Sequence, residues 1–275
     1  MELEILRAIQ SIHNPFLDIL FEGFTMLGEE LFIVPLLAII FWTLDKRFGE
    51  VLAFTLFTSL LLNNSLKDLF SFERPIGEEG IRTLRPETAT GKSFPSGHTQ
   101  NSAAAAGAVS MYLKKRWVTV LSMTLMVLVA LSRLYLGVHY PKDVLVGILL
   151  GLLIARLSAH LMQRFDALKI YVLILLLFIP ALAFSRSPDF IKSLGSYGGF
   201  VLGIIMEKKM VRFSTQGPLW KKVLRVVLGI ALVLLVKDGL KVMVPDSLIF
   251  DFLRYFMVTF FAMGLYPWLF KKIRL

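Results

Sequence analysis

The chain has 275 residues, of which 56% are hydrophobic and only 18% are charged, and its mean hydropathy is +0.70. A soluble domain carries about 25% charged residues, whereas here the charges stand in short groups between long apolar runs. This pattern predicts an all-α protein, a bundle of helices that crosses a membrane several times. The absence of cysteine excludes disulfide bonds, thiolate metal sites and a cysteine nucleophile. The net charge of +10 is typical of basic residues that flank membrane helices, and nucleic acid is not expected as a partner because no soluble basic domain is present.

The first residues predict an interfacial segment rather than a span. In residues 2–12 the apolar residues recur at helical spacing, with charged and polar residues between them. This pattern suits a helix lying on a membrane surface. Residues 16–27 are apolar but contain Asp18 and Glu22, whose carboxylates would be costly in hydrocarbon. The acidic start of the chain does not resemble a secretory signal. We therefore expect an amphipathic N-terminal segment over residues 1–27.

The rest of the chain predicts about nine spans. The long polar stretch 67–98 is rich in glycine and proline, which indicates a loop. Residues 103–108 are all alanine or glycine, and such small residues allow close packing of helices in a bilayer. The predicted spans cover residues 28–44, 48–66, 99–113, 117–136, 141–160, 170–184, 194–206, 223–236 and 248–270.

The distribution of basic residues predicts the orientation. More than half of the 30 Lys and Arg residues lie on the face that includes residues 114–116 and the end of the chain, and an excess of Lys and Arg marks the cytoplasmic side. The C-terminus is therefore expected in the cytoplasm. Three polar clusters, residues 67–75, 95–98 and 132–143, then fall together on the opposite, extracytoplasmic face.

Two of these clusters and the start of the third span predict an anion-binding site. Lys67, Arg74 and Arg133 place three cations at one point of the membrane surface, and guanidinium groups match the oxygens of a phosphate. Ser96 and Gly97 stand just before a span, where a helix start supplies unpaired N–H groups and the positive end of its dipole. A phosphate or diphosphate is the natural ligand for this arrangement.

Two histidines and an aspartate add catalytic groups to this site. His98 and His139 are two of only four histidines in the chain, and one can serve as a nucleophile and the other as an acid. If a helix begins at Pro141, Asp143 lies in its first turn and can accept a hydrogen bond from the His139 ring. Such a carboxylate fixes the tautomer of the imidazole. Each residue alone is more often an interfacial or snorkelling side chain, but their grouping on one face favours a site.

The three clusters together resemble a known signature. K-x6-R-P at residues 67–75, P-S-G-H at 95–98 and S-R-x5-H-x3-D at 132–143 are similar to the three-part motif of the type 2 phosphatidic acid phosphatase (PAP2) superfamily. The family also includes glucose-6-phosphatases and vanadium haloperoxidases. The resemblance covers residues 28–184, which it identifies as a six-span catalytic core, and leaves residues 185–275 as a three-span extension.

The resemblance implies a role for each residue of the site. The three cations, with Ser96 and Gly97, would bind the phosphoryl oxygens. His139 would attack phosphorus and form a phosphohistidine, His98 would protonate the leaving oxygen, and Asp143 would orient His139. Water would then hydrolyse the intermediate, and no metal or other cofactor is expected because the fixed cations neutralise the developing charge.

The function that this implies is an integral membrane phosphatase with a lipid substrate and an extracytoplasmic site, with a bacterial inner membrane as the default location. Undecaprenyl diphosphate, phosphatidate, phosphatidylglycerol phosphate and sphingoid-base phosphates all fit. One alternative is a soluble sugar phosphate, because nine spans resemble the glucose-6-phosphatases. A second alternative is a lipid transporter or scramblase that works through the last three spans, suggested by Lys237, Asp238, Lys241 and Arg254 near the outer face.

Overall fold

The structure is a computed structural model that describes residues 1–275, and every regular element in it is helical. The predicted all-α class is therefore confirmed. The helices are α1 (Glu2–Gln10), α2 (Pro15–Met26), α3 (Glu30–Ile39), α4 (Lys46–Phe70), α5 (Gly97–Leu113), α6 (Arg116–Tyr135), α7 (Pro141–Arg164), α8 (Ala167–Phe178), α9 (Pro188–Met206), α10 (Leu219–Met243), α11 (Leu248–Phe260) and α12 (Tyr266–Lys272). Turns of π-helix at Ile40–Leu44, Glu207–Val211 and Phe261–Leu265 extend α3, extend α9 and join α11 to α12, and 3₁₀ turns cover Pro86–Thr88 and Ile179–Ala183.

Several of these helices begin where the sequence provides a cap. Asn14 accepts a hydrogen bond from the N–H of Leu17 at the start of α2, and Asp166 accepts one from the N–H of Lys169 at the start of α8. Side-chain oxygens at these positions satisfy N–H groups that have no partner within the helix. Proline is the first residue of α2, as its fixed φ favours.

Three helices are long and apolar enough to cross a membrane, namely α6, α7 and the continuous segment Leu248–Lys272. The pair Pro15–Met26 and Glu30–Leu44 would add one span if it is counted as a single helix bent by 48°. Helices α4 and α10 have 25 residues each, which is about 37 Å at 1.5 Å per residue. They are long enough to span but carry polar residues within their length. Several candidate spans are thus confirmed, and the count of nine stays a prediction.

Contacts divide the chain into two units. The first comprises Met1–Ile33 and Leu62–Ala159, and the second comprises Val34–Leu61 and His160–Leu275. The boundaries between the units fall within α3, α4 and α7. The predicted division into residues 1–27, 28–184 and 185–275 follows sequence patterns rather than contacts, and it stays a prediction. Every residue of the predicted site lies in the first unit.

Small residues allow close helix packing in the first unit, as the sequence predicted. Ala103 and Ala106 of α5 are buried in a cluster with Met126 of α6. A Cβ added at Gly151 of α7 would lie 2.3 Å from the carbonyl oxygen of Gln100, so only glycine permits that approach. This packing brings the first turns of α5 against the middle of α7.

Helix α1 also belongs to the first unit. Leu6 is fully buried in a cluster with Ala130, Leu134 and Val144 of α6 and α7, while Ile12 just after the helix is exposed. One apolar side of α1 therefore packs on protein, and its position at a membrane interface stays a prediction.

The second unit is held by a glycine face and a buried carboxylate. Gly195 and Gly199 of α9 face α11 so closely that added Cβ atoms would lie 2.4 Å and 2.2 Å from the carbonyl oxygens of Phe252 and Phe256. This is the small-residue packing common between membrane helices. Elsewhere in the unit, the buried carboxylate of Glu50 forms ion pairs with Lys208 at 2.5 Å and Arg47 at 3.4 Å. It also accepts a hydrogen bond from the Tyr171 hydroxyl at 2.7 Å.

Candidate active site

The three polar clusters lie at helix ends within the first unit. Lys67 is in the last turns of α4, Arg133 is near the end of α6, and α5 and α7 begin at Gly97 and Pro141. The first cluster continues into the loop that follows α4. The structure brings residues of all three clusters into contact, through the pairs described below.

Asp143 lies in the first turn of α7, as the sequence predicted, and faces His139. Asp143 Oδ2 is 3.4 Å from His139 Nδ1, and the two side chains are 0% and 1% exposed. The same oxygen accepts a hydrogen bond of 2.9 Å from the N–H of Tyr140. The carboxylate is thus fixed by the turn that leads into α7, and it stands on the Nδ1 side of the imidazole.

Arg74 stands on the other side of the same ring. Its Nη1 lies 2.9 Å from His139 Nε2 and also donates to the carbonyl oxygen of Val138 at 2.9 Å, and its Nε donates to the carbonyl oxygen of Gly91 at 3.0 Å. Since a guanidinium can only donate hydrogen bonds, Nε2 must be the acceptor. The proton of a neutral His139 ring is then on Nδ1, facing Asp143.

The environment of His139 keeps its ring neutral. Burial, and after it the positive charges of Arg74, Arg133 and Lys67, hold the pKa of His139 well below its ordinary value. A neutral ring leaves the Nε2 lone pair available as a nucleophile.

Arg133 is fully buried with part of its guanidinium unpaired. Its Nη1 donates to Thr25 Oγ1 at 2.5 Å, whereas its Nε and Nη2, like Nε2 of His98, are buried without a hydrogen-bond partner. Leaving buried polar groups unpaired is costly. These nitrogens therefore fit a ligand that brings oxygen atoms to them, and a phosphoryl group does so.

Lys67, Ser96 and Gly97 meet at the start of α5. Lys67 is buried, and its Nζ donates to the carbonyl oxygen of Lys92. A Cβ added at Gly97 would lie 4.0 Å from Lys67 Cε and 3.1 Å from Asn63 Oδ1, so Gly97 packs closely on α4. The Ser96 N–H donates to the carbonyl oxygen of Asp143 at 3.0 Å, which joins the second cluster to the third.

Sequence reasoning missed Ser93. This serine is fully buried, its Oγ donates to Asp143 Oδ2 at 2.5 Å, and it lies 3.4 Å from His139 Nδ1. Its backbone N–H donates to the carbonyl oxygen of Phe72 at 2.8 Å. Ser93 therefore ties the loop after α4 to the histidine and its carboxylate. Its position three residues before Ser96 was the signal that could have identified it.

Sequence reasoning also missed Thr25, the partner of Arg133. It lies in α2, within the segment that the sequence assigned to the membrane interface. A lone threonine in an apolar helix carries no signal of such a contact, because nothing in the spacing links it to a residue more than a hundred positions away.

Comparison with known protein families gives two matches, one over the candidate active site and one over the end of the chain. Residues 49–167 match the PAP2 superfamily, and residues 191–275 match the PAP2 superfamily phosphatase transmembrane extension. The first match includes every residue of the predicted site. The second covers most of the segment for which the sequence offered no motif.

Individual relatives are similar over a little more than half of the chain. The chain is 34% identical over 168 residues to phosphatidylglycerophosphatase B of Bacillus subtilis, an alignment that covers 54% of this chain and 77% of that protein. It is 28% identical to lipid A 4'-phosphatase of Bacteroides thetaiotaomicron, over 55% of this chain and 72% of that protein. The crystal structure of Aquifex aeolicus LpxE superposes with a TM-score of 0.54 at 31% identity, over 58% of this chain and 95% of that chain.

Proposed function

Because the chain belongs to the PAP2 superfamily of membrane phosphatases, we propose that it hydrolyses a lipid phosphate or diphosphate through a phosphohistidine intermediate. The observation that carries this proposal is the position of His139 between Arg74 and Asp143. Nε2 faces a phosphate-binding cation and Nδ1 faces a carboxylate. Asp143 thus orients the ring, and Arg74 stands where a phosphoryl oxygen would bind beside the nucleophilic nitrogen.

In the first step His139 Nε2 forms a bond to phosphorus while the bond from phosphorus to the leaving oxygen breaks. His98 Nε2 gives its proton to that oxygen. Asp143 Oδ2 accepts the hydrogen bond of Nδ1–H and stabilises the positive charge that the ring acquires. Arg74, Arg133 and Lys67 bind the three non-bridging oxygens, with Ser96 and Gly97 at the start of α5 completing the cradle.

In the second step a water molecule attacks the phosphohistidine from the side that the leaving group has vacated. His98, now neutral, accepts the proton of the water, the new P–O bond forms and the P–Nε2 bond breaks. His139 returns to its neutral form and inorganic phosphate leaves. The fixed cations supply the charge that Mg²⁺ supplies in other phosphoryl transfers, so the proposal includes no metal or other cofactor.

The membrane setting supports a substrate whose tail remains in the bilayer. The proposed class comprises undecaprenyl diphosphate, phosphatidate, phosphatidylglycerol phosphate and sphingoid-base phosphates, and the names of two relatives, phosphatidylglycerophosphatase B and lipid A 4'-phosphatase, support a lipid over a sugar. We propose an inner-membrane location with the site on the extracytoplasmic face and the C-terminus in the cytoplasm, which the asymmetry of Lys and Arg supports.

The direct test is phosphate release by the purified protein in detergent. Wild type is expected to release phosphate from at least one phosphorylated lipid, and His139→Ala is expected to lose this activity. His160→Ala is the matched control, because His160 is an exposed histidine of α7 outside the site. Release by His139→Ala at the wild-type rate would refute the mechanism.

A substrate panel separates the proposal from its alternatives. Phosphorylated lipids and glucose 6-phosphate are compared at equal concentration, and hydrolysis of the sugar phosphate alone would replace the lipid assignment. Lipid flipping in vesicles that persists in His139→Ala, with no phosphate release by wild type, would favour a transporter.

A further inference from the structure

Residues 25–29, named here the 25–29 turn, comprise the end of α2 and the link to α3, beside the candidate active site. Thr25 accepts a hydrogen bond from Arg133. A Cβ added at Gly28 would lie 3.3 Å from His98 Cδ2, so this backbone lies against the proposed acid. Glu29 forms an ion pair with Arg85. The turn lies outside residues 49–167, the part that matches the PAP2 superfamily. It nevertheless contacts both Arg133 and His98 of the site.

Arg85 is held in place by the backbone around it. The N–H of its neighbour Leu84 donates to the carbonyl oxygen of Leu136 at 3.0 Å, three residues before His139. Arg85 itself has φ of 53°, a left-handed conformation that is unfavourable for a residue with a side chain. Strained residues of this kind concentrate at functional sites. The Leu84 hydrogen bond fixes the backbone that carries Arg85, and the Arg85 guanidinium lies against Glu29 of the 25–29 turn.

The pair of Glu29 and Arg85 is largely shielded from solvent. Arg85 Nη2 lies 3.1 Å from Glu29 Oε1 and 3.4 Å from Oε2, and the two side chains are 15% and 20% exposed for Glu29 and Arg85. Oε1 is buried without a hydrogen-bond partner. Both charges act electrostatically on Arg133. A shielded ion pair contributes little net stability because desolvation opposes it, so stability alone does not account for this pair.

The position of Gly28 shows which side of the site the pair occupies. In the proposed mechanism His98 stands beside the leaving oxygen, and the 25–29 turn lies against His98. A second phosphoryl group attached through that oxygen would therefore approach Arg85, whose planar fork suits phosphate oxygens. Glu29 holds the guanidinium there when no ligand is present and competes with the incoming anion.

We propose that Arg85, held by Glu29, is a subsite for the leaving phosphoryl group of a diphosphate. This inference rests on the proposed function and narrows it to diphosphate esters as preferred substrates. The terminal phosphorus is transferred to His139 Nε2, and the bond from that phosphorus to the bridging oxygen breaks. The monophosphate ester that leaves carries the bridging oxygen, protonated by His98, and Arg85 stabilises its charge.

The test compares farnesyl diphosphate with farnesyl monophosphate, two esters with the same tail. For Arg85→Gln, the ratio of kcat/KM for the diphosphate to that for the monophosphate is expected to fall at least about tenfold, because a charge-assisted hydrogen bond is lost only with the diphosphate. For Glu29→Gln the same ratio is expected to rise, because the competing charge is removed while Arg85 stays. An unchanged ratio in either variant overturns the inference.

Glu87→Gln is the matched control. Glu87 Oε1 lies 3.8 Å from Arg85 Nε, but the Glu87 side chain is 69% exposed. Glu87→Gln therefore changes the net charge by the same amount as Glu29→Gln without freeing the guanidinium. The ratio of kcat/KM for the diphosphate to that for the monophosphate should stay at the wild-type value. If Arg85→Gln does not fold, the ratio in Glu29→Gln decides. Hydrolysis of the monophosphate by wild type and not by His139→Ala sustains the proposed function whatever the ratio. Release from neither ester by wild type overturns both proposals.

Discussion

Arg74 Nη1 lies 2.9 Å from His139 Nε2, so the atom proposed as the nucleophile is covered by one of the cations proposed to bind the substrate. Attack on phosphorus requires that lone pair to be free. A phosphoryl oxygen that takes over the hydrogen bond of Arg74 would uncover Nε2 at the same moment as it places phosphorus beside it. Binding of the phosphate and exposure of the nucleophile are then one event.

This relationship predicts the effect of Arg74→Lys. Lysine keeps the charge, but its three donors on one nitrogen cannot reach Nε2 and the four carbonyl oxygens, of residues 90, 91, 92 and 138, that the planar fork contacts at once. We expect kcat/KM to fall about 10- to 100-fold, the cost of one charge-assisted hydrogen bond, with a rise in KM. Steady-state phosphate release measures this. Arg156→Lys, at an exposed position of α7, is the control, and equal activity of the two variants would contradict the role of Arg74.

Ser93→Ala is expected to lower kcat about tenfold with little change in KM, since Ser93 orients Asp143 and does not touch the substrate. The lost hydrogen bond also removes a neighbour of His139 Nδ1, so the acidic limb of the pH profile is expected to shift. Ser93→Thr keeps the hydroxyl, so the acidic limb of its pH profile should lie at the wild-type position. Ser102→Ala is the control, because the hydroxyl of Ser102 donates only within its own helix, to the carbonyl oxygen of Thr99. A fall in kcat without any shift of the limb would indicate a merely structural role.

The pH dependence follows from the lowered pKa of His139. As pH falls through that pKa the His139 ring is protonated and cannot attack, whereas above it the ring is neutral. His98 must still carry a proton to act as the acid, and burial with the charges of Arg133 and Lys67 lowers its pKa as well, so a basic limb is also expected. An ordinary histidine has a pKa of about 6.5, so the acidic limb of kcat/KM is expected below that value. The measurement is kcat/KM at a series of values between about pH 4 and pH 9. Each value is divided by the fraction of the substrate that is ionised at that pH, so that the profile reports the enzyme alone. A corrected limb centred at or above the ordinary value would contradict the environment described for His139.

Thr25→Val tests the contribution of the N-terminal segment. Valine has nearly the same shape but offers no oxygen to Arg133 Nη1, so a buried donor loses its partner. We expect KM for the phosphorylated lipid to rise about tenfold because the guanidinium is less well oriented. Thr25→Ser, which keeps the hydroxyl, should retain the wild-type KM. A normal KM in Thr25→Val would show that Arg133 is positioned by other contacts.

The helices and the site clusters could be predicted from the sequence because both have local signals. Apolar runs bounded by charges predicted the helices, and Pro141 predicted the start of α7 together with the place of Asp143 in its first turn. Arg74, His98 and His139 could be singled out because each stands in one part of the three-part motif.

Contacts between distant segments could not be predicted in the same way. Thr25 and Glu29 lie in a segment whose composition suggests only an interface, and their partners Arg133 and Arg85 follow from tertiary packing. The direct contact of Arg74 with His139 also has no sequence signal, since the two residues belong to different clusters. Spacing along a chain fixes which residues share a helix face but not which loops meet.

The central claim is a covalent phosphate on His139. The most direct measurement uses His98→Ala with p-nitrophenyl phosphate, whose leaving group needs no proton, so that the first step proceeds while activation of water is impaired. After quenching in alkali, mass spectrometry of the peptide that contains residue 139 is expected to show one added phosphoryl group, which is absent from the same peptide of His98→Ala/His139→Ala. Release of nitrophenol and phosphate by His98→Ala with no phosphorylated His139 at any time of quenching, or with the phosphoryl group on another residue, would contradict the mechanism.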